Sequence, residues 1–187
     1  MRKIIYTRPD GGVSVVSPAP GNRLALRIIS LFGLELFRSQ TPVPIEQISR
    51  KWLLLGNIEW AETEDEFLAR IQARAVPVDA INPQIVDESV IPVDRTFRNA
   101  LKQTGSALIH DMPKCRDIWR GKLRELRRPK MQALDVAYTQ ADERGDAVEK
   151  TRIVAEKQKL RDVTADPRIE TAQTPEALKA VMPSELL

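Results

Sequence analysis

Residues 112–130, MPKCRDIWRGKLRELRRPK, carry eight Lys or Arg in nineteen positions, yet their apolar side chains gather on one side. On a helix turning about 100° per residue, Met112, Cys115, Ile118, Trp119, Leu123 and Leu126 share an arc of roughly 140°. Lys122 lies at the edge of this arc, its stem along the apolar side and its amine reaching out. Lys114, Arg116, Arg120, Arg124, Arg127 and Arg128 fill the rest. Such segregation predicts a helix with a packing face, not a basic tail. The stripe continues through Met131, Leu134, Tyr138 and Ala141 at i, i+3, i+7 and i+10. A third helix has a narrower seam of Ile153, Leu160 and Val163, too short for a long coiled coil. Pro113 suits a first helical turn, and Pro129 is expected to divide two helices. ERGDA (143–147) reads as a turn, with Asp146 capping the third helix. Thr174-Pro175-Glu176 opens one last short helix, stopped by Pro183.

The first part of the chain is punctuated differently. KIIYT and VSVVS flank RPDGG, which predicts a β-hairpin around Pro9, Gly11 and Gly12. The run from 23 to 38 is apolar around most of its circumference and predicts a buried helix, with Asn22 as N-cap. Ile45, Ile48 and Trp52 give a short helical pattern. Thr63 and Glu66 match a capping box that opens a helix through Phe67, Leu68 and Ile71. The acidic cluster Glu62, Glu64, Asp65 and Glu66 is explained by its place at that helix's N-terminus. Residues 76–93 read as extended, with QIVD the best strand. Asp94 is expected to cap a short helix over 94–101, and SALIH (106–110) to form a strand. The expected fold class is α+β: a body over 1–110, an antiparallel helical hairpin-like arm over 111–165, and a tail with a short helix over 166–187.

The net charge is only +3 at a pI of about 9.1, less one-sided than a protein that coats nucleic acid. Residues 114–130 hold eight basic and two acidic side chains, whereas 131–187 hold eight basic and eleven acidic. Asp135, Asp142, Glu143, Asp146 and Glu149 are placed to face the basic side after a chain reversal. No aromatic residues interleave the arginines to stack bases. Cys115 is the lone cysteine, so no internal disulfide forms, which fits a reducing compartment. LALRIISLFGLELF (24–37) is broken by Arg27 and Glu35, short of the roughly 18 apolar residues of a membrane span. The sequence has no glycine-rich phosphate loop, CxxC pair, HExxH or GxSxG. His110 and Cys115 are close in sequence, but a strand end and a packing face do not make a thiol–imidazole pair. The sequence therefore points to no enzyme activity, metal or cofactor.

The segments DRTFRNAL, DMPKCRDIWR and KQKLRDVTADP resemble proteins encoded in tailed bacteriophages and prophages. The closing run KQKLRDVTADPRIETAQTPEALKAVMP is similar to the C-terminal part of phage tail-fibre assembly proteins. There, a helix ending in an LRD triplet precedes a proline-containing tail; Leu160, Arg161, Asp162 and Pro167 match. The first resemblance covers much of 1–20 and 62–187, the second about 30 residues. Together they imply a virion tail or neck component, or a tail-fibre assembly factor, found in the virion or in the host cytoplasm during assembly. Its partners would be other phage structural proteins, the tail fibre among them, or further copies of itself in a homo-oligomer. Trp119, Leu123, Leu126, Leu134 and Tyr138 are the candidate apolar seam. Arg120, Arg124, Arg127 and Arg128 are candidates for pairing with acidic surfaces on a neighbour. The alternative is a nucleic-acid-binding accessory protein using the same basic helix.

Overall fold

The computed structural model describes residues 2–30, 33–48 and 50–187. They divide into two compact units: Met1–Val93 with Lys102–Leu108, and Asp94–Leu101 with Ile109–Leu187. The fold class is α+β, with sheets in the N-terminal part and helices in the C-terminal part.

In the first unit, β1 (Arg2–Thr7) and β2 (Val13–Val16) form the expected hairpin, with Ile4 opposite Val16 and Thr7 opposite Val13. Gly11 supplies the left-handed residue of the turn at φ +78, and the Arg8 N–H donates to the Gly12 carbonyl at 2.7 Å.

The run from 23 to 38 is not a helix. It forms β3 (Leu24–Ser30) and the start of β4 (Glu35–Pro44), paired antiparallel, and Asn22 ends a 3₁₀ turn instead of capping. A continuous apolar run fits a buried strand as well as a buried helix. Here Ile28 and Ile29 favour the strand, and Gly33 at φ +81 reverses the chain. Residues 31 and 32 of that run lie outside the described residues. The pattern through Ile45, Ile48 and Trp52 is split between a 3₁₀ turn (Ile45–Gln47) and α1 (Arg50–Leu55). β5 (Gly56–Trp60), unforeseen in the sequence, completes a sheet of order β4-β3-β5. Ala25, Ile28 and Ile48 form its buried centre.

The Thr63–Glu66 capping box opens α2 (Glu64–Ala75), with both reciprocal hydrogen bonds made. Phe67, Leu68 and Ile71 pack on Ile4. QIVD lies in β6 (Ile81–Asp87), on the far side of β1 from β2. Glu62 accepts two hydrogen bonds from Arg70, at 2.6 and 2.9 Å, and one from the Leu24 N–H. The Arg70 guanidinium holds this carboxylate below its usual range.

In the second unit Asp94 caps no helix. Its carboxylate accepts the Thr96 N–H at 2.8 Å in a turn, and a 3₁₀ turn (Arg98–Ala100) follows. β7 (Leu101–Thr104) and β8 (Ala107–His110), most of whose residues belong to the first unit, make a two-stranded ribbon around Gly105. Asp111 then caps α3 (Met112–Glu143), whose first turn contains Pro113. At 32 residues, α3 runs through Pro129 without a break, contrary to the expected division. Pro129 has no N–H to give the Glu125 carbonyl. Both residues lie on the exposed side, where that carbonyl can be hydrated.

Gly145 at φ +69 reverses the chain and Asp146 caps α4 (Ala147–Asp162), as expected. After a 3₁₀ turn (Val163–Ala165) come α5 (Pro167–Thr171), which was not foreseen, and α6 (Pro175–Lys179), capped by Thr174. The C-terminal segment is half of a core. Ile169, Ala172, Leu178 and Val181 enclose Cys115, Trp119 and Leu123 together with Phe97 and Ala100.

Candidate protein-interaction surface

Along its first half α3 is enclosed. Leu123 is fully buried, and Trp119 packs on the Phe97 ring at 6.2 Å between centroids. The Trp119 Nε1–H donates to the Val181 carbonyl at 3.0 Å, so the one polar atom of the indole is satisfied where it is buried.

Much of the basic side is used by the same chain. Arg116 donates to the carbonyls of Ile169 and Ala172 at 3.1 and 3.0 Å. Arg120 pairs with Glu170 and, at 3.2 Å, with Asp117. Arg127 caps the end of α4, donating to the Leu160 and Arg161 carbonyls at 3.0 and 2.9 Å. Lys130 donates to the carbonyls of Glu185 and Leu187. Carbonyls left unpaired at helix ends attract cations, which explains why these side chains point inward along the surface. Arg124 and Arg128, with Lys114 and Lys122, have no ion-pair partner among the described residues.

The acidic residues expected to face this basic side do not. Asp135 pairs with Lys157 at 2.8 Å, Asp142 with Lys150, and Glu149 with Arg152 at 2.5 Å, while Asp146 caps α4. The tight reversal at Gly145 sets residue 142 beside 150 and 135 beside 157. Those acids therefore meet α4 lysines, and the basic stretch meets residues 160–187.

The second half of α3 packs mainly on α4, in an antiparallel hairpin. Ala141 and Ile153 are fully buried between the helices, and Leu134 and Tyr138 are half-buried. The Tyr138 ring lies 4.8 Å from the Lys157 amine and 5.6 Å from that of Lys150. One rim of the hairpin is thus closed by charge pairs around an aromatic ring. Leu126, expected in the seam, is instead 48% exposed. One turn beyond Leu123 it has rotated off the α4 side, and the Arg127 stem takes the inward place. Val136 is 60% exposed and Val148 83%. A groove of about 390 Å³ also runs between the helices, its apolar lining Ala133, Leu134 and Leu160 and its charged rim Lys130, Glu156, Lys159 and Glu185.

Sequence reasoning missed Ile169, Ala172, Leu178 and Val181. The signal available was two apolar pairs, each spaced by three residues, between the prolines of 167–183. Cys115 is fully buried at the centre of this core, and burial, then the nearby Asp111 charge, pushes its thiol pKa up. Among the described residues no group of His, Cys, Asp and Glu is arranged to hold a metal, and no helix is long and apolar enough to cross a membrane. No family model matches the chain, and no curated protein and no solved structure is significantly similar to it.

Proposed function

We propose that this chain is a non-enzymatic structural or assembly component of a tailed phage, in the tail or neck or in tail-fibre assembly, and that it works through protein–protein contacts. The observation that carries the contact reading is the asymmetry of α3. Its first half is covered on its apolar side by the chain's own C-terminal segment, whereas the α3–α4 hairpin leaves Leu126, Val136 and Val148 at the surface. Large apolar side chains left at the surface have a use when another protein covers them. The phage setting rests on the resemblance of the segments quoted above. Mass spectrometry of purified particles and assembly intermediates of the encoding phage tests it. The chain is expected in at least one of them in fixed copy number. Absence from both, together with no virion protein retained by the immobilised chain, overturns the reading.

A second reading draws on Lys114, Lys122, Arg124 and Arg128, which no acidic residue neutralises among those described. Binding of nucleic acid through them would weaken steeply with salt as counterions are released. No mobility shift at about 50 mM salt eliminates it.

A further inference from the structure

We infer that the exposed seam of α3 is where a second copy of this chain docks, antiparallel, about a two-fold axis near residues 131–132. This rests on the protein-contact reading above and names the partner. Leu126, Pro129, Ala133, Val136 and Gln140 recur at steps of three and four, the spacing of a coiled-coil seam. Ala133 also borders the α3–α4 groove, the other four are distinct from the residues that face α4, and all five are exposed. The seam therefore has coiled-coil spacing but no partner helix among the described residues.

Charge selects the occupant and its direction. From Met112 to Lys130, α3 holds eight basic and two acidic side chains; from Met131 to Glu143 it holds three acidic and none basic. Two copies side by side in parallel would set like against like. Antiparallel, each basic half lies along the other's acidic half. Asp135 and Asp142 are already tied to α4 lysines, but Glu143 has no cationic partner among the described residues. In the antiparallel register Lys122 of one copy comes within a helical turn of Glu143 of the other.

Shape agrees with that register. It sets Leu126 of one copy over the hole formed by Ala133, Val136, Ala137 and Gln140 of the other, a large side chain against mostly small ones. Pro129 faces Ala133, where the small side chain admits close approach of the helices. The seam spans about 15 Å from Leu126 to Val136, so a modest affinity is expected, with Kd on the order of 10 µM.

Sedimentation equilibrium of the full chain tests the pairing. A concentration-dependent dimer is expected, and Leu126→Glu with Val136→Glu should raise its Kd at least about tenfold. Both residues are exposed, so circular dichroism should show an unchanged monomer fold. A chain that stays monomeric at ~100 µM, or a double variant that dimerises as before, overturns the proposal. Direction is read with Leu126→Cys and Val136→Cys as single variants. Oxidising them mixed should give the mixed disulfide, and either one alone little, because only the antiparallel register brings 126 and 136 within about 7 Å. Self-linked species from each variant alone, and no mixed species, overturn it too. Native Cys115 is buried and does not compete. Particle content and retention of virion proteins do not depend on self-pairing, so failure here leaves the functional reading to be judged by them.

Discussion

The two halves of α3 look alike in sequence, each with an apolar stripe along a charged helix, but they differ in what covers the stripe. From Cys115 to Leu123 the stripe is sealed by Phe97, Ile169, Leu178 and Val181, residues remote in the chain. From Leu126 to Glu143 it lies mainly along α4, which buries Ala141 and Ile153 and leaves Leu126 and Val136 out. Amphipathic spacing states which side of a helix seeks cover; the length and path of the rest of the chain decide how much of it is found.

The sharpest way to break this comparison is to put a charge in each half. Leu123→Asp places an unpaired carboxylate in a fully buried site and leaves a void, a cost above about 4 kcal/mol. The second unit should lose its cooperative unfolding transition. Leu126→Asp, three residues on, should change stability by no more than about 0.5 kcal/mol. Similar losses from both, measured by urea denaturation, would falsify the distinction between the halves.

Ile153→Ala addresses the hairpin alone. Removing a fully buried isoleucine between α3 and α4 should cost about 3 kcal/mol. Hydrogen exchange should accelerate through residues 131–158 while amides around Trp119 and Leu123 keep their protection. Equal loss in both regions would mean that α3 unfolds as one unit.

Pro129 stands between the halves, and Pro129→Ala is expected to stabilise, by roughly 2 kcal/mol, because it restores the N–H that the Glu125 carbonyl lacks and removes the ring clash. The thermal midpoint of the monomer, measured at low protein concentration, should rise. A fall would show that the ring makes a packing contact its exposure does not suggest.

Local chemistry was legible in the sequence and remote packing was not. The 2–16 hairpin, the Thr63–Glu66 box, the cap at Asp146 and the helix start at Thr174 each depend on residues a few positions apart. Residues 23–38 were read as a helix because a run apolar on most sides fits a buried strand as well as a buried helix, and only Gly33 marked the reversal. β5 and β7 became visible only through their neighbours. For the candidate surface, the helix and its apolar arc were legible, and so were Trp119 and Leu123. Leu126 was misplaced, and the destinations of Arg116, Arg120, Arg127 and Lys130 were hidden, because they are set by carbonyls and a carboxylate 30 or more residues away.

The smallest effect concerns how the cover over the first half of α3 is held. Asp94, where the chain enters the second unit, accepts a hydrogen bond from Lys179 of α6. That bond first, then those from the Thr96 hydroxyl and N–H, holds the Asp94 carboxyl well below the usual carboxylate range. A carboxylate whose pKa is lower folded than unfolded adds stability that is present above the unfolded value, about 3.9. This contribution is lost as pH falls through the folded value. The same bond raises the Lys179 amine, so its share is present below the ordinary lysine range and lost above it. Both side chains are partly exposed, so salt should weaken the pair. Asp94→Asn should therefore leave the fold intact near neutral pH, flatten the acid limb of its stability curve below about pH 4, and shrink the difference from wild type in high salt. Exchange at the Leu178 and Val181 amides is the local readout, and an acid limb as steep as that of wild type would place the pH sensitivity of this cover elsewhere.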